Sequence, residues 1–157
     1  MFNDTWADQW ARVHRRLDDV RAVYRGAPGG TIWALDSVQS FFEAVHHLKD
    51  WVGNDPGSTL SLADGDALIN SDPNLQLSAD LANGSKHFAL KSTRTGDLGT
   101  DIKRNDATIL LGTGAAAHRF YIESGGVEHD VLDVAERAVA AWGSFLSKKG
   151  LSPAPAP

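Results

Sequence analysis

Apolar residues recur along much of the chain at alternating spacings of three and four, which is the period of an amphipathic α-helix. The clearest series predicts a first helix, and it comprises Trp6, Trp10, Val13, Leu17, Val20 and Tyr24. Asp4 or Thr5 is suited to cap the start of this helix, and Gly26 follows its end. Because one face of the helix is apolar, it must pack against another element.

A second apolar series follows the stretch "WALDS" and predicts another helix. Its members are Val38, Phe41, Val45, Leu48 and Val52. Asp36 and Gln39 stand at the spacing of a capping box, so we expect this helix to start at Asp36. Gly53 and the sequence "NDPGS" are typical of its end.

A third long helix starts at "NSDPN", where Pro73 suits the first turn and Ser71 or Asp72 suits the cap. Before it, "DGDALIN" predicts at most a short helix or a turn. The apolar line of the third helix contains Leu77, Leu81 and Phe88. Gly84 lies near that line, and a glycine within a helix indicates close approach of another backbone or of a ligand.

The pattern changes after the third helix. Residues 93–106 are polar and predict a long loop, whereas "ATILLG" predicts a buried strand. The sequence "HRFYIESGGVEHDV" alternates and predicts a hairpin that turns at Gly125 and Gly126. A last helix follows, with its cap at His129 or Asp130. Its apolar stripe comprises Val131, Val134, Ala135, Ala138, Trp142 and Phe145.

Together these elements predict a mainly α fold: a four-helix bundle with a small β-hairpin or sheet inserted before the last helix. We expect one helical domain over residues 1–150, with the hairpin around residues 107–130. Residues 151–157 are rich in proline and alanine and predict a disordered tail.

Composition narrows the classes of protein. Of the 157 residues 42% are apolar, so the chain can bury a core without a metal or a disulfide. It has no cysteine, which excludes a disulfide partner, a thiolate zinc site and a cysteine nucleophile. The N-terminal stretch resembles no secretory signal, and no apolar run is long enough for a membrane span, so we expect a soluble, cytoplasmic protein.

The formal net charge of −5 argues against broad electrostatic binding of nucleic acid, although it leaves room for a local basic groove. One basic cluster lies on the first helix, and it comprises Arg12, Arg15, Arg16, Arg21 and Arg25. Asp18 and Asp19 lie within helical pairing distance of these arginines. This spacing favours a solvated, ion-paired helix face.

The stretch "DLANGSKHF" carries the candidate chemistry of the third helix. Asp80, Asn83 and His87 are spaced by three and four, so they share one face, with Lys86 beside it. On the second helix, "HHLKDW" places His47 one turn before Trp51, with Asp50 between them. If these two helices are neighbours, the two polar sets face one another.

Three interpretations of these residues compete. The first is structural, because buried polar groups at a helix junction must satisfy one another. The second is a metal site built from His46, Asp50 and His87, although no known metal-binding motif is present. The third is acid–base chemistry on a phosphodiester, in which histidine moves a proton, Lys86 stabilises negative charge and Asn83 positions the scissile group. None of these residues predicts an organic cofactor.

The spacing of Asn83, three intervening residues and His87 resembles the motif of HEPN-domain proteins, which are also helical bundles. The resemblance implies a metal-independent endoribonuclease or an RNA-binding relative, often dimeric, in toxin–antitoxin or phage-defence systems. His87 would then be the general acid or base, and Asn83 would support it. Ala82 stands where the family has its phosphate-binding arginine, so an active and a degenerate enzyme both remain open.

The alternative is a non-enzymatic domain for protein–protein interaction or homodimerisation, in which the His, Asp and Asn side chains serve structure alone. The aromatic residues of the first helix would suit a homodimer face, but core packing is the more economical use of these rings.

Overall fold

The computed structural model describes residues 4–86 and 92–153. The described residues are mainly helical, with a small antiparallel sheet directly before the last helix, as the sequence predicts. The helices are α1 (Trp6–Arg25), α2 (Thr31–Asn54), α3 (Leu62–Ser71), α4 (Pro73–Lys86) and α5 (Val131–Lys148). The strands are β1 (Asp101–Leu110), β2 (Ala115–Ser124) and β3 (Val127–Asp130).

Helix α1 begins and ends where the sequence predicts. The Thr5 side chain accepts a hydrogen bond from the Asp8 amide, and the Asp8 carboxylate accepts one from the Thr5 amide in return. At the other end Gly26 adopts the left-handed conformation with φ of 87°, which glycine adopts without strain.

Helix α2 begins earlier in the chain than predicted, because its N-cap is Gly30 rather than Asp36. It starts at Thr31 after Gly30, so Asp36 lies inside the helix and the predicted capping box is wrong. Ala34 explains the difference, because it is buried four residues before Val38 and extends the apolar stripe toward the N-terminus. The break in the chain is made by Pro28, Gly29 and Gly30 rather than by Asp36.

Helix α3 is a complete helix where the sequence indicated only a short helix or a turn. Ser61 and Asp64 form its capping box, and Asp72 caps α4 by accepting hydrogen bonds from the amides of Asn74 and Leu75. The described residues therefore contain five α-helices, one more than the four long helices of the prediction.

The three strands form a sheet in the order β1-β2-β3, with both pairs antiparallel. The turn at Gly125 and Gly126 is confirmed, with φ of 58° and 76°. Two predictions for β1 are wrong: it begins within the expected loop, at Asp101, and it is mostly exposed. The apolar residues at the end of β1 are typical of a buried strand. Because β1 lies at the edge of the sheet, however, Ile109 is 75% exposed.

Helices α1, α2, α4 and α5 share one core, and α2 contacts the other three. Trp6 and Trp10 are buried in this core, so their predicted packing role is confirmed and they offer no surface for a partner. Tyr24 joins α1 to the sheet, because its hydroxyl accepts hydrogen bonds from the amides of Phe120 and Leu132.

No helix within residues 4–86 and 92–153 is long and apolar enough to cross a membrane. Most of the predicted tail, residues 154–157, lies outside the described residues.

Candidate functional site

Asp80, the acidic residue of the candidate motif, is buried, with 1% of its surface exposed. Its Oδ1 accepts a hydrogen bond from the Arg94 amide at 2.7 Å. Its Oδ2 accepts one from the Thr95 amide at 3.0 Å and one from the Thr95 hydroxyl at 2.6 Å. A buried carboxylate is stable only when it is paired or fully hydrogen-bonded. Asp80 therefore anchors the loop of residues 92–100 to α4.

The same hydrogen bonds continue into the sheet. Thr95 donates its one hydroxyl proton to Asp80, and its oxygen lies 3.0 Å from the hydroxyl of Thr100, which also donates to the Asp97 carbonyl at 3.0 Å. Thr100 in turn lies 2.6 Å from the Ser124 hydroxyl at the end of β2. Asp97 reinforces the link by accepting a hydrogen bond from the Gly125 amide at 2.7 Å. We call this series, Asp80–Thr95–Thr100–Ser124, the hydroxyl chain.

The anchored loop places the side chain of Arg94 against α3. Its guanidinium donates to Asp66 at 2.9 Å and to Asn70 at 2.7 Å, and it holds the pKa of Asp66 below the usual range. Lys49 of α2 lies 3.5 Å from the same Asp66 carboxylate. The two cations are therefore already paired with protein groups, and this network joins α2, α3 and the loop.

His46 lies beside this network and is half-buried. Burial lowers its pKa to about 4, and the nearby charges of Lys49 and Arg94 act in the same direction. The imidazole of His46 is consequently neutral at physiological pH. It therefore carries no positive charge for binding an anion.

His47 and Trp51 lie on another side of α2, in the groove between α1 and α2. This α1–α2 groove has a volume of about 230 Å³. It is lined by Gln9, Arg12, Arg16, Ser40, Glu43, Ala44, His47 and Trp51. Asp50 lines an adjoining cavity of about 440 Å³ that shares Trp51. Its carboxylate lies 3.5 Å from Lys49 Nζ, and neither neighbouring imidazole is its hydrogen-bond partner within the described residues.

Arg12 is held in position within the α1–α2 groove. Gln9 is buried, and its amide group donates to the Ala44 carbonyl at 2.9 Å while its Oε1 accepts from Arg12 Nη1 at 2.6 Å. The Arg12 guanidinium lies 5.9 Å from the centre of the Trp51 ring. Its remaining ion pair, with Asp4, is long at 3.8 Å and solvent-exposed, and its other N–H donors have no hydrogen-bond partner among residues 4–86 and 92–153.

The motif at the end of α4 borders this groove. The Ser85 hydroxyl donates to Glu43 Oε1 at 2.7 Å, and Glu43 lines the α1–α2 groove. Asn83 is half-buried, and His87 lies outside the described residues. Among the described residues, no atom outside its own helix backbone and its chain neighbours lies within 4 Å of the position that a Cβ on Gly84 would occupy, so no other described backbone approaches it closely.

Ala82, which stands where HEPN-domain proteins have their arginine, is buried, so a side chain at this position faces the interior rather than solvent. Within the described residues no three metal-ligating side chains lie close enough together to hold an ion. His87, one member of the metal set considered from the sequence, falls outside those residues.

No protein-family model, curated protein or solved structure matches this chain.

Three residues of the site carry little signal in the sequence. Gln9 is one polar residue on the otherwise apolar face of α1. Arg12 belongs to a cluster in which two other members pair as predicted, since Arg16 pairs with Asp19 and Arg21 pairs with Asp18. Arg94 lies in a polar loop without periodicity. A polar residue between Trp6 and Trp10 on a buried stripe was the available indication of Gln9.

Substitution of Asp80 by Asn is expected to destabilise the protein. An amide can accept on one side only, and its NH₂ group would face the Thr95 amide, so at least one buried donor loses its acceptor. We expect a loss of about 2–3 kcal/mol in the free energy of unfolding, measured by urea denaturation. The exposed Asp36→Asn is the matched control and should change stability by less than about 0.5 kcal/mol. Equal effects of the two substitutions would contradict the anchoring role.

Proposed function

We propose that this chain is a HEPN-like RNA-binding domain that takes single-stranded RNA into the α1–α2 groove. The observation that carries the proposal is the placement of Arg12. A buried glutamine holds this guanidinium over the Trp51 ring and beside the exposed His47, in the groove that Glu43 and Ser85 connect to α4.

The chemistry of the groove suits a nucleotide. An arginine with free N–H donors binds a phosphate by charge-assisted, bidentate hydrogen bonds. An aromatic ring in the same groove offers a surface on which a base can stack. Because Gln9 already fixes Arg12, little conformational entropy is lost when a phosphate binds. A net charge of −5 is compatible with RNA binding, because Arg12 and Arg16 both line this one groove.

The position of the groove supports an endoribonuclease activity at its α4 end. RNA lying along Glu43 passes Ser85, which directly precedes Lys86 and His87 in the chain. His87 then acts as the general acid or base, Asn83 positions the scissile phosphate, and Lys86 stabilises its negative charge. The cation that Ala82 lacks is supplied by Lys86 and by Arg12. Arg94 is unsuited to binding the phosphate, because its guanidinium already donates hydrogen bonds to Asp66 and Asn70.

Arg12→Ala is expected to weaken binding of a fluorescein-labelled single-stranded RNA about tenfold, measured by fluorescence polarisation. The slope of log affinity against log salt should also fall by about 0.7, because one phosphate contact is lost. Arg137→Ala is the matched control, since Arg137 is an exposed arginine of α5 paired with Asp133. An Arg12→Ala protein that binds RNA as the wild type does would overturn the proposed groove.

His87→Ala is expected to lower RNA cleavage about a hundredfold or more, with a thermal midpoint close to that of the wild type. Wild-type cleavage should persist in excess chelator, because the mechanism needs no metal. His129→Ala, on β3, serves as the control and should cleave normally. RNA binding without any cleavage by the wild type would indicate a degenerate enzyme. A protein that neither binds nor cleaves RNA would favour the interaction-domain alternative.

A further inference from the structure

Another cavity lies between the C-terminal end of α1, the sheet and the first turns of α5. Its volume is about 720 Å³, which is within the range of small-molecule pockets. Tyr24 and Arg25 of α1 line it, together with Arg119 of β2 and Glu136 of α5. We call it the α1–α5 cavity.

This cavity is separate from the α1–α2 groove. Arg16 lines the groove and Arg25 lines the cavity. These two arginines are about two and a half helical turns apart, so they project from opposite sides of α1. A ligand in the α1–α5 cavity is therefore independent of the proposed RNA binding.

The carboxylates that line the cavity are already paired with protein cations. Glu136 accepts two hydrogen bonds from the Arg21 guanidinium, at 2.8 Å and 2.9 Å. Asp106 of β1 forms an ion pair with Arg104 at 3.0 Å. Neither carboxylate is hydrogen-bonded to the other two arginines of the cavity.

Those two arginines keep N–H donors that no described residue accepts. Within residues 4–86 and 92–153, no ion pair or side-chain hydrogen bond involves Arg25. Its charge suits the last turn of α1, but that dipole interaction uses none of its N–H groups. Arg119 has one ion pair, from its Nε to Asp130 at 3.6 Å, and its side chain is 61% exposed. Two guanidinium groups with available donors thus line the same cavity.

Tyr24 holds the walls of the cavity together. Its hydroxyl accepts hydrogen bonds from the amides of Phe120 and Leu132, at 3.3 Å and 3.1 Å, so the end of α1 is tied to both β2 and α5. The Arg119 guanidinium lies 5.9 Å from the centre of the Tyr24 ring. Because Arg25 directly follows Tyr24, both arginines extend from a fixed backbone, and this preorganisation favours binding.

We propose that the α1–α5 cavity binds a small organic phosphate, whose phosphate group accepts hydrogen bonds from Arg25 and Arg119. A guanidinium donates two parallel hydrogen bonds to a phosphate. A phosphate monoester carries a charge of about −1.5 to −2 at neutral pH, so it can compensate both arginines. A single carboxylate can compensate only one of them.

The size and the lining of the cavity indicate that the ligand has an organic part. A cavity of about 720 Å³ is much larger than a phosphate ion, since a water molecule takes up about 30 Å³ in the liquid. Ala117 and Leu132 contribute apolar surface to the lining, and Thr108 contributes a hydroxyl group. The organic part of the ligand contacts these side chains.

NMR titration of the full chain with phenyl phosphate tests the site. At about pH 7.5 and constant ionic strength, the amide signals of Arg25 and Arg119 should shift saturably, with a Kd of about 1 mM or below. Inorganic phosphate should bind about fivefold more weakly because it lacks the ring, and benzoate should bind at least about fivefold more weakly because it carries one charge. A wild type without saturable shifts would overturn the proposal, as would benzoate binding as tightly as phenyl phosphate. Equal affinities for the two phosphates would overturn the organic part.

Substitutions locate the binding site. Arg25→Gln and Arg119→Gln should each weaken phenyl phosphate binding about fivefold or more, because each removes one charged fork. Arg12→Gln in the α1–α2 groove and Arg137→Gln on α5 are the matched controls and should bind as the wild type does. Circular dichroism should show wild-type helix content in all four variants. Unchanged affinity in both cavity variants, or equal losses in the controls, would contradict the assignment.

Discussion

The architecture depends on one buried negative charge. Asp80 lies in the interior of a helix packing face, where an unpaired carboxylate would cost several kcal/mol. Three hydrogen bonds offset this cost: the amides of Arg94 and Thr95 and the Thr95 hydroxyl all donate to the Asp80 carboxylate. A loop that would otherwise be free is thereby tied to α4. Through Thr100 and Ser124 the same constraint determines where the sheet joins the helices.

The anchor also separates two kinds of polar residue. On the α3 side, the anchored Arg94 joins Lys49 and Asp66 in an ion-paired network whose groups satisfy one another. On the α1 side, Arg12 is held by Gln9, and its other N–H donors have no hydrogen-bond partner within the part of the chain that the structure describes. The first arrangement stabilises the fold, and the second suits recognition. Residues that the sequence groups as one candidate site thus serve different purposes in the structure.

The helices were predictable from the sequence because burial imposes a period on it. The stripes of α1 and α5 and the caps Thr5, Asp72 and Asp130 follow from local chemistry alone. The start of α2 and the exposure of β1 do not follow from local chemistry, because each depends on neighbours that are distant in the chain. Ala34 is too small to mark a buried position by itself, and the apolar end of β1 reads as core only if its place in the sheet is ignored.

The candidate site was predictable in part. The spacing of "DLANGSKH" identifies a polar face on a helix. It does not predict that the Asp80 carboxylate accepts hydrogen bonds from the amides of Arg94 and Thr95, fourteen and fifteen residues later. No periodicity connects a helix to a loop at that separation. Gln9 was hidden for a related reason, because its one hydrogen-bond acceptor in α2, the Ala44 carbonyl, is a backbone group that every residue possesses.

Amide hydrogen exchange, followed by NMR at neutral pH, tests the anchoring of the loop most directly. If Asp80 anchors the loop, the amides of Arg94 and Thr95 should exchange at least about a hundredfold more slowly than that of Gly112 at the exposed hairpin tip, because both are bonded to a buried carboxylate. Their exchange should be nearly as slow as that of core amides in α4. Exchange of Arg94 and Thr95 at the rate of Gly112 would contradict the central role of Asp80.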